Sequence, residues 1–268
     1  MSNTANQDID PKDLNGNRVD HPLTERRHDG RGSSDVYQAL IASGLFSKLD
    51  PESLFAVAEQ LEPVQFLPGE IMVAQSSRGG RVYIIISGKV KVAYRHPEGG
   101  EVVLTILGPR EMFGAMTLFD PEAHEIDATA LTTVVAVAIE RAQFLLWIAE
   151  RPEFSDQVLR LFARWVKAST NSLVDFAFAD AQNRVANQLL LLRKRFGRRE
   201  GEAVRVVHDL TLEDFSLLVG VAPETICDTL REFEHRGWIR LEYNSVVVVD
   251  AHALSAISHS NMLKAHCV

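Results

Sequence analysis

The fold of this chain is indicated by residues 211–249, whose sequence is TLEDFSLLVGVAPETICDTLREFEHRGWIRLEYNSVVVV. Thr211 is followed three residues later by Asp214, which is the spacing of a capping box at the start of a helix. Gly220 is the residue type that best tolerates the positive φ of a tight turn. The pattern therefore predicts a first helix over residues 212–219 that ends in a sharp turn.

A second helix and a short hairpin follow this turn. Pro223 suits the first helical position, where its missing N–H costs nothing, and Gly237 suits the end of a helix that reaches about Arg236. Residues 238–242 and 245–249 are β-prone and flank a Tyr-Asn turn. A generic helical hairpin would explain the apolar spacing but not the added strands. The combination predicts a winged helix-turn-helix whose second helix enters the major groove of DNA.

The middle of the chain has a different periodicity. Between residues 64 and 107, short β-prone runs alternate with turns that contain Gly or Pro, and residues 128–139 add one or two further runs. Residues 36–61 carry apolar side chains at helical spacing. Strands of this length and regularity favour an antiparallel barrel or sandwich. The predicted fold class is thus α+β, with a barrel-like N-terminal domain and a helix-turn-helix at the other end.

A long helix is predicted between these two parts, from about Glu153 to Phe178. One side of it is apolar, through Val158, Leu161, Phe162, Trp165, Val166, Leu173 and Phe176. Such a stripe needs a partner, which could be a parallel copy of the same helix or the barrel of its own chain. We expect the first arrangement, a homodimer through the long helix, and keep the second as the alternative.

These patterns divide the chain into five parts. They are a disordered tail over 1–35, an effector domain over 36–150, the long helix over 151–179, the DNA-binding domain over 180–250 and a C-terminal tail over 251–268. The first 32 or so residues lack periodicity and have few apolar side chains, which is typical of disorder. Their arginines could touch DNA, or the segment could be a plain solvated tail.

Composition narrows the class and compartment of the protein. The 268 residues are 46% hydrophobic, but no run of about 18 apolar residues exists and no apolar segment follows Met1. We therefore expect neither a membrane partner nor secretion. Two cysteines, Cys227 and Cys267, form no disulfide framework, so a cytoplasmic location is expected. The net charge of −8 weighs mildly against nucleic acid, although a local basic face is what matters.

Several segments together resemble the CRP/FNR family, the cyclic-AMP receptor proteins, and especially their actinobacterial branch. These segments are RVYIIISGKVKV, LTILGPREMFGAMTLFDPE, NRVANQLLLL, LLVGVAPETI and HRGWIRLE, in the order of the family. The resemblance covers about residues 39–249. It implies a β-roll of the cyclic-nucleotide-binding type (a jelly roll), a homodimer through the long helix, double-stranded DNA as a partner, and RNA polymerase as a further partner if the protein is an activator.

The resemblance also implies an effector pocket in which this sequence departs from the family. The corresponding positions are Phe113, Gly114, Ala115, Met116, His124, Asp127, Ser169 and Thr170. Cyclic-AMP-binding members have Phe-Gly-Glu-Leu, whose Glu holds the ribose, and a later Arg that neutralises the phosphate. Here Ala115 replaces the Glu, and His124 is the best match for the Arg.

Losing a fixed cation in such a pocket has a large cost. A close charge pair contributes about 4 kcal/mol at an effective dielectric near 20, and about 1.4 kcal/mol is tenfold in affinity. We therefore expect no resident cofactor and a cyclic-AMP response that is lost or much weakened. The protein would be active without effector or respond to another nucleotide or small molecule. Ser169 and Thr170 match two hydroxyl contacts of the family, or are simply hydroxyls on a helix surface.

The predicted DNA-binding residues depart from the family as well. They are Thr211, Ala222, Pro223, Glu224, Thr225, Asp228, Arg231 and Arg236. Members that bind the well-known palindrome have Arg-Glu-Thr-Val and then a basic residue, whereas Pro223 and Asp228 stand at the two basic positions here. An Arg bidentate to guanine contributes about 1–3 kcal/mol of discrimination, which Pro cannot supply. We expect a different half-site or weaker binding.

Other chemistry has little support in the sequence. Cys227 lies in the second helix of the motif, where it is either a redox-sensitive thiol or a packing residue. No standard zinc pattern, four-cysteine set, Walker loop or nucleophile elbow is present, so neither a metal site nor an enzyme is expected. Two hypotheses remain: a sequence-specific transcription regulator, and an effector- or nucleotide-binding interaction protein with a weak or vestigial DNA-binding module.

Overall fold

The computed structural model describes residues 26–27, 32–73, 80–96, 98–119 and 126–259. The N-terminal part begins with the two-residue strand β1 (Arg26–Arg27) and the helices α1 (Gly32–Ser43) and α2 (Pro51–Glu59). Asp50 caps α2, since its Oδ1 accepts a hydrogen bond from Ser53 N at 2.9 Å. The predicted disordered tail over 1–35 is therefore wrong at Arg26–Arg27, which pair with a strand of the barrel, and from Gly32 onward.

Eight further strands form the β-roll. They are β2 (Pro63–Phe66), β3 (Ile71–Val73), β4 (Arg81–Ser87), β5 (Val90–Arg95), β6 (Glu101–Leu107), β7 (Met112–Phe113), β8 (Ile126–Ala130) and β9 (Val134–Glu140). Together with β1 they make two antiparallel sheets of order β1-β2-β9-β4-β7 and β3-β8-β5-β6. The interior between these sheets is apolar and includes Phe66 and Tyr83, whose ring stacks on Phe113 at 5.1 Å between centroids. The predicted antiparallel β domain is confirmed.

Helices cover the other face of the first sheet. The short helix α3 (Met116–Phe119) follows β7, α4 (Arg141–Glu150) follows β9, and α5 (Pro152–Phe178) is the long helix. Phe46, Trp147 and Phe154 are buried between them and touch one another ring to ring. This aromatic cluster fixes the start of α5 to the β-roll.

The C-terminal part is a winged helix-turn-helix with one extra helix at each end. Its elements are α6 (Ala181–Phe196), β10 (Gly197–Glu200), β11 (Ala203–Val207), α7 (Leu212–Val219), α8 (Pro223–His235), β12 (Ile239–Glu242), β13 (Ser245–Val248) and α9 (Ala251–His259). The wing is a four-stranded sheet of order β10-β11-β13-β12. The prediction of a tail over 251–268 is wrong for α9, because Leu254 is fully buried in the core of this part.

Candidate nucleic-acid interface and effector pocket

The start of α7 is fixed by the predicted capping box. Thr211 Oγ1 accepts from Asp214 N at 3.0 Å and donates to Asp214 Oδ2 at 2.7 Å, and Thr211 N donates to the same oxygen at 3.3 Å. Two backbone donors at the helix end are thereby satisfied. The Thr211 hydroxyl, predicted to contact DNA, is thus engaged in orienting the first helix of the motif.

The turn between α7 and α8 is tight and closely packed. Gly220 adopts a left-handed φ of 67°, as predicted, and Ser216 Oγ donates to Val221 O at 2.5 Å. A Cβ added at Gly220 would lie 2.3 Å from the ring of Phe176, near the end of α5. The long helix therefore reaches the turn of the DNA-binding motif.

The second helix, α8, presents one side to its core and the other to solvent. Ile226, Thr229 and Phe233 are buried. The predicted DNA-binding residues on the opposite side are exposed, namely Ala222, Glu224, Thr225, Asp228, Arg231 and Arg236, while Pro223 is half-buried. This is the geometry required of a helix that enters a major groove.

The charge on α8 is unusual for such a helix. Between Pro223 and His235 it carries four carboxylates against one guanidinium, in Glu224, Asp228, Glu232, Glu234 and Arg231. Arg231 Nη1 lies 3.4 Å from Asp228 Oδ1, so the charge of the one Arg within α8 is compensated by its own neighbour. The helix therefore offers fewer uncompensated cations to phosphate than a basic recognition helix would.

The predicted contact Arg236 is also engaged. Its Nε lies 2.6 Å from Glu232 Oε1, and its guanidinium lies 4.9 Å from the centre of the Trp238 ring. These contacts hold Arg236 at the junction of α8 and the wing. The ion pair with Glu232 offsets part of its charge.

The outer face of the wing sheet is a network of arginines and glutamates. Arg205 forms ion pairs with Glu200 and Glu242, and Arg240 lies 3.0 Å from Glu242 and 3.9 Å from Glu200. The hydrogen bonds that Arg205 donates to Glu242 and Glu200 raise the pKa of its side chain. The positive charges of Arg205 and Arg240 are thus compensated by neighbouring carboxylates.

Cations that remain for phosphate lie on α6 and β10. Within the described part of this domain, Lys194, Arg198 and Arg199 are exposed and make no ion pair. The DNA-binding residues predicted from the sequence do not include this basic run. The one signal for it was the density of Lys and Arg over residues 193–199.

The segment after β7 contains several of the residues predicted to line an effector pocket. Gly114 has a φ of 85°, and a Cβ there would lie 2.4 Å from Arg81 O, so only glycine fits. The predicted pocket residue Phe113 faces the interior of the roll and stacks on Tyr83. Ala115 is buried in the core beneath the helices, and Met116 is exposed at the start of α3. Ala115 thus supplies no carboxylate at the position where the family resemblance predicts one.

Asp127 was predicted in the pocket, and in the structure its side chain points away from the interior of the roll. Its strand neighbour Ala128 points into the roll, and successive side chains of a strand point to opposite faces. Asp127 therefore points outward, where its Oδ2 lies 3.4 Å from Arg95 Nη1. This outward direction, toward Arg95, does not fit the predicted place in a pocket inside the roll. His124 lies outside the described residues.

The remaining predicted positions are Ser169, Thr170 and Cys227. Ser169 and Thr170 are exposed on α5, and Thr170 Oγ1 donates to Val166 O of its own helix at 2.9 Å. The Cys227 thiol is free and half-buried. In the described ranges there is no group of three or more His, Cys, Asp and Glu side chains placed to hold a metal ion. Nor does any helix in those ranges have the length and hydrophobicity needed to cross a membrane.

Comparison with known families matches both halves of the chain. Residues 63–151 match the cyclic nucleotide-binding domain, and residues 183–257 match the Crp-like helix-turn-helix domain. The chain is 46% identical over 218 residues to the CRP-like cAMP-activated global transcriptional regulator of Mycobacterium tuberculosis, which covers 81% of this chain and 97% of that protein. It is 29% identical to the cyclic AMP receptor protein of Thermus thermophilus, over 81% of this chain and 97% of the relative.

Solved structures share the fold. FixK2 from Bradyrhizobium japonicum superposes with a TM-score of 0.67 at 15% identity, over 74% of this chain and 96% of that one. A regulator of the CRP/FNR family from Thermus thermophilus superposes with a TM-score of 0.61 at 21% identity, over 75% and 100%. The relatives are transcription regulators and not enzymes. With a nucleotide-binding-type β-roll, a long helix and a Crp-like helix-turn-helix in this order, the chain belongs to the CRP/FNR family of DNA-binding transcription regulators.

Proposed function

We propose that this regulator acts in the cytoplasm as a homodimer, binds a DNA half-site different from the usual one of the family, and has lost most or all of its dependence on cyclic AMP. RNA polymerase is its further partner if it activates transcription. The observation that carries the DNA-binding part is the exposed side of α8, which projects from a winged helix-turn-helix with its predicted contact residues in solvent.

The dimer is supported by the unpartnered side of α5. The first part of the helix packs on its own β-roll through Val158, which is buried. Leu159, Val166 and Leu173 recur every seven residues and are 68%, 66% and 71% exposed. A seven-residue apolar repeat is typical of the contact seam of a left-handed coiled coil. Leaving three such side chains exposed to water is energetically unfavourable. A second copy of α5 would cover them and would place Ser169 in the same seam.

The altered effector response is supported by the residues of the pocket. The relative from Mycobacterium tuberculosis is described as cAMP-activated. In this chain Ala115 is a buried methyl group, and His124 stands where cyclic-AMP-binding members have a permanently charged Arg. A cyclic phosphate would therefore enter without a fixed cation, and the ribose without a carboxylate. This combination favours activity without effector or a response to a different small molecule.

The change in DNA sequence is supported by α8 itself. Pro223 carries no donor for guanine, and Asp228 repels phosphates. Glu224 is exposed and can accept from the amino group of cytosine. Selection of bound fragments from a random DNA pool tests this proposal. Enrichment of a palindrome unlike the usual one of the family would support it, and recovery of the usual palindrome would contradict it.

One observation favours a second function. The excess of carboxylates on α8 suits a protein whose DNA-binding module is weak or vestigial and whose main role is to bind an effector and a protein partner. Gel-shift titration on genomic fragments at several salt concentrations distinguishes a DNA-binding regulator from such an interaction protein. Specific retention whose affinity falls with salt supports the regulator, because phosphate contacts release counterions.

A further inference from the structure

The helix-turn-helix part packs against the β-roll instead of hanging freely from the long helix. The contact surface on the roll is the outer face of β5 and β6. Val103 and Ile106 of β6 are buried in the same core as Leu189 of α6 and Phe215 of α7. The DNA-binding part therefore has no complete core of its own on this side, and undocking would expose apolar side chains of both parts to water.

Lys91 is the central cation of this contact. It lies on β5, and its Nζ is 2.8 Å from Asp214 Oδ1 and 2.9 Å from Glu101 Oε1. The other carboxylate oxygen of Asp214 closes the capping box with Thr211. Burial disfavours the charged form of Lys91, but the ion pairs with Asp214 and Glu101 outweigh it and raise the pKa of the lysine. A charge on the effector domain thus directly contacts the first turn of the DNA-binding motif.

Two further cations, Lys89 and Arg195, also connect the β-roll to the helix-turn-helix part. Lys89 Nζ donates to Val207 O at 2.5 Å and forms an ion pair with Asp209, in the linker that leads into α7. Arg195, at the end of α6, donates to Ile106 O at 2.8 Å and forms an ion pair with Glu111. Lys89 is a cation of the roll and Arg195 is a cation of the helix-turn-helix part, so each part supplies a charge to the other. Such complementary charges make the docking specific in orientation.

The close approach of the two parts is visible at Gly108, in the turn after β6. A Cβ added there would lie 2.5 Å from Cε1 of Phe196 on α6, so a larger residue would separate the surfaces. In this docked arrangement the outward side of α8 remains in solvent, since Glu224, Thr225, Asp228 and Arg231 are all exposed. Docking therefore does not hide the helix from DNA.

We propose that Lys91 is a positioning residue for DNA binding: by pairing with Asp214 it holds the helix-turn-helix on the outer face of β5 and β6 and so fixes the orientation of α8. The inference rests on the proposed regulator function for its DNA-binding consequence, but the docking itself does not depend on that function. A preorganised α8 avoids the entropy cost of ordering the domain on DNA. Weakening the Lys91 contacts should therefore loosen the domain and lower DNA affinity.

The test compares three variants of the full-length protein. Lys91→Gln removes the charge, Lys91→Arg keeps it and can still reach both carboxylates, and Lys48→Gln removes an exposed lysine outside this surface as a control. Hydrogen–deuterium exchange is measured on β6 and α7, and DNA affinity is measured on a selected site at fixed salt. A melting temperature for each variant reports on global stability.

We expect Lys91→Gln to speed exchange at β6 and α7 and to weaken DNA binding about ten- to hundredfold, the loss typical of a charged hydrogen bond. Lys91→Arg should restore both, and Lys48→Gln should change neither. Unchanged exchange in Lys91→Gln would overturn the docking role, and unchanged or tighter DNA binding with faster exchange would overturn the preorganisation. If the unmodified protein binds no specific DNA, the proposed function fails, while the exchange measurement still decides whether Lys91 holds the domain.

Discussion

Phe176 of the long helix lies against Gly220 in the turn of the helix-turn-helix, and a Cβ at Gly220 would be 2.3 Å from the Phe176 ring. Gly220 is thus constrained twice, by its φ of 67° and by this contact. Gly237 has a similar φ of 74°, but no atom lies within 4 Å of its added Cβ. Comparing substitutions at Gly220 and Gly237 therefore separates the energetic cost of backbone strain from the cost of close packing.

We predict that Gly220→Ala destabilises the protein more than Gly237→Ala does. Both substitutions incur the left-handed penalty of about 1–2 kcal/mol, and only the first adds the overpacking cost of about 1–3 kcal/mol. Chemical denaturation of the two variants measures the difference. Equal destabilisation would show that Phe176 moves aside freely.

The pH dependence of stability should include a contribution from His208, between the wing and α7. Burial lowers the pKa of its imidazole from the ordinary 6.5, and nearby Lys89 lowers it further against the opposing effect of Asp209. Above about pH 6.5 neither state holds the extra proton, whereas below it the unfolded chain is protonated first. The contribution of neutral His208 to the free energy of unfolding is therefore fully present above pH 6.5. It is lost as the pH falls from there toward the pKa of His208 in the folded state.

The variant His208→Asn tests this prediction. Its amide oxygen can replace Nδ1, which accepts a hydrogen bond from Leu210 N at 3.1 Å. Denaturation at pH 7.5 and at pH 5.5 should show a smaller loss of stability in the variant than in the unmodified protein. An identical loss in both proteins would assign the pH dependence to other groups.

The dimer seam predicts the effect of a charge on α5. Leu173→Glu places a carboxylate in the proposed seam, where burial without a partner is costly, so the protein should sediment as a monomer and lose DNA affinity. Leu146→Glu is the matched control, since Leu146 is an exposed leucine on α4 outside the seam. A Leu173→Glu protein that stays dimeric would contradict the seam.

Removing a negative charge from the exposed side of α8 should strengthen DNA binding. We expect Asp228→Asn to raise affinity several-fold and to do so similarly for different DNA sequences, because its carboxylate repels phosphates. Glu150→Gln makes the same change in net charge on α4, far along the chain from the motif, and should have little effect. An equal gain in both variants would point to net charge alone.

The effector prediction is tested by titration calorimetry with cyclic AMP. The unmodified protein should show no binding at micromolar ligand, and His124→Arg should gain affinity because it restores a fixed cation for the phosphate. Cyclic GMP serves as a comparison ligand. Micromolar binding of cyclic AMP by the unmodified protein would refute the loss of response.

The sequence by itself determined the local elements of the DNA-binding motif. The capping box of Thr211 and Asp214, the left-handed Gly220 and the helix start at Pro223 all depend on residues within a few positions of one another. Interactions of this range are encoded in spacing and residue type, so they were predicted with almost their observed boundaries. The β-roll followed from its regular turns for the same reason.

Only the tertiary structure decided which surfaces these elements share. Lys91 pairs with Asp214 from 123 positions away, and no sequence spacing relates two such residues. Asp127 faces outward because the register of β8 assigns alternate residues to opposite faces, and a shift by one residue would have reversed them. The orientation of the helix-turn-helix on the roll is likewise decided by tertiary packing. Its ion pairs and apolar contacts join residues that are far apart in sequence and meet only in the folded chain.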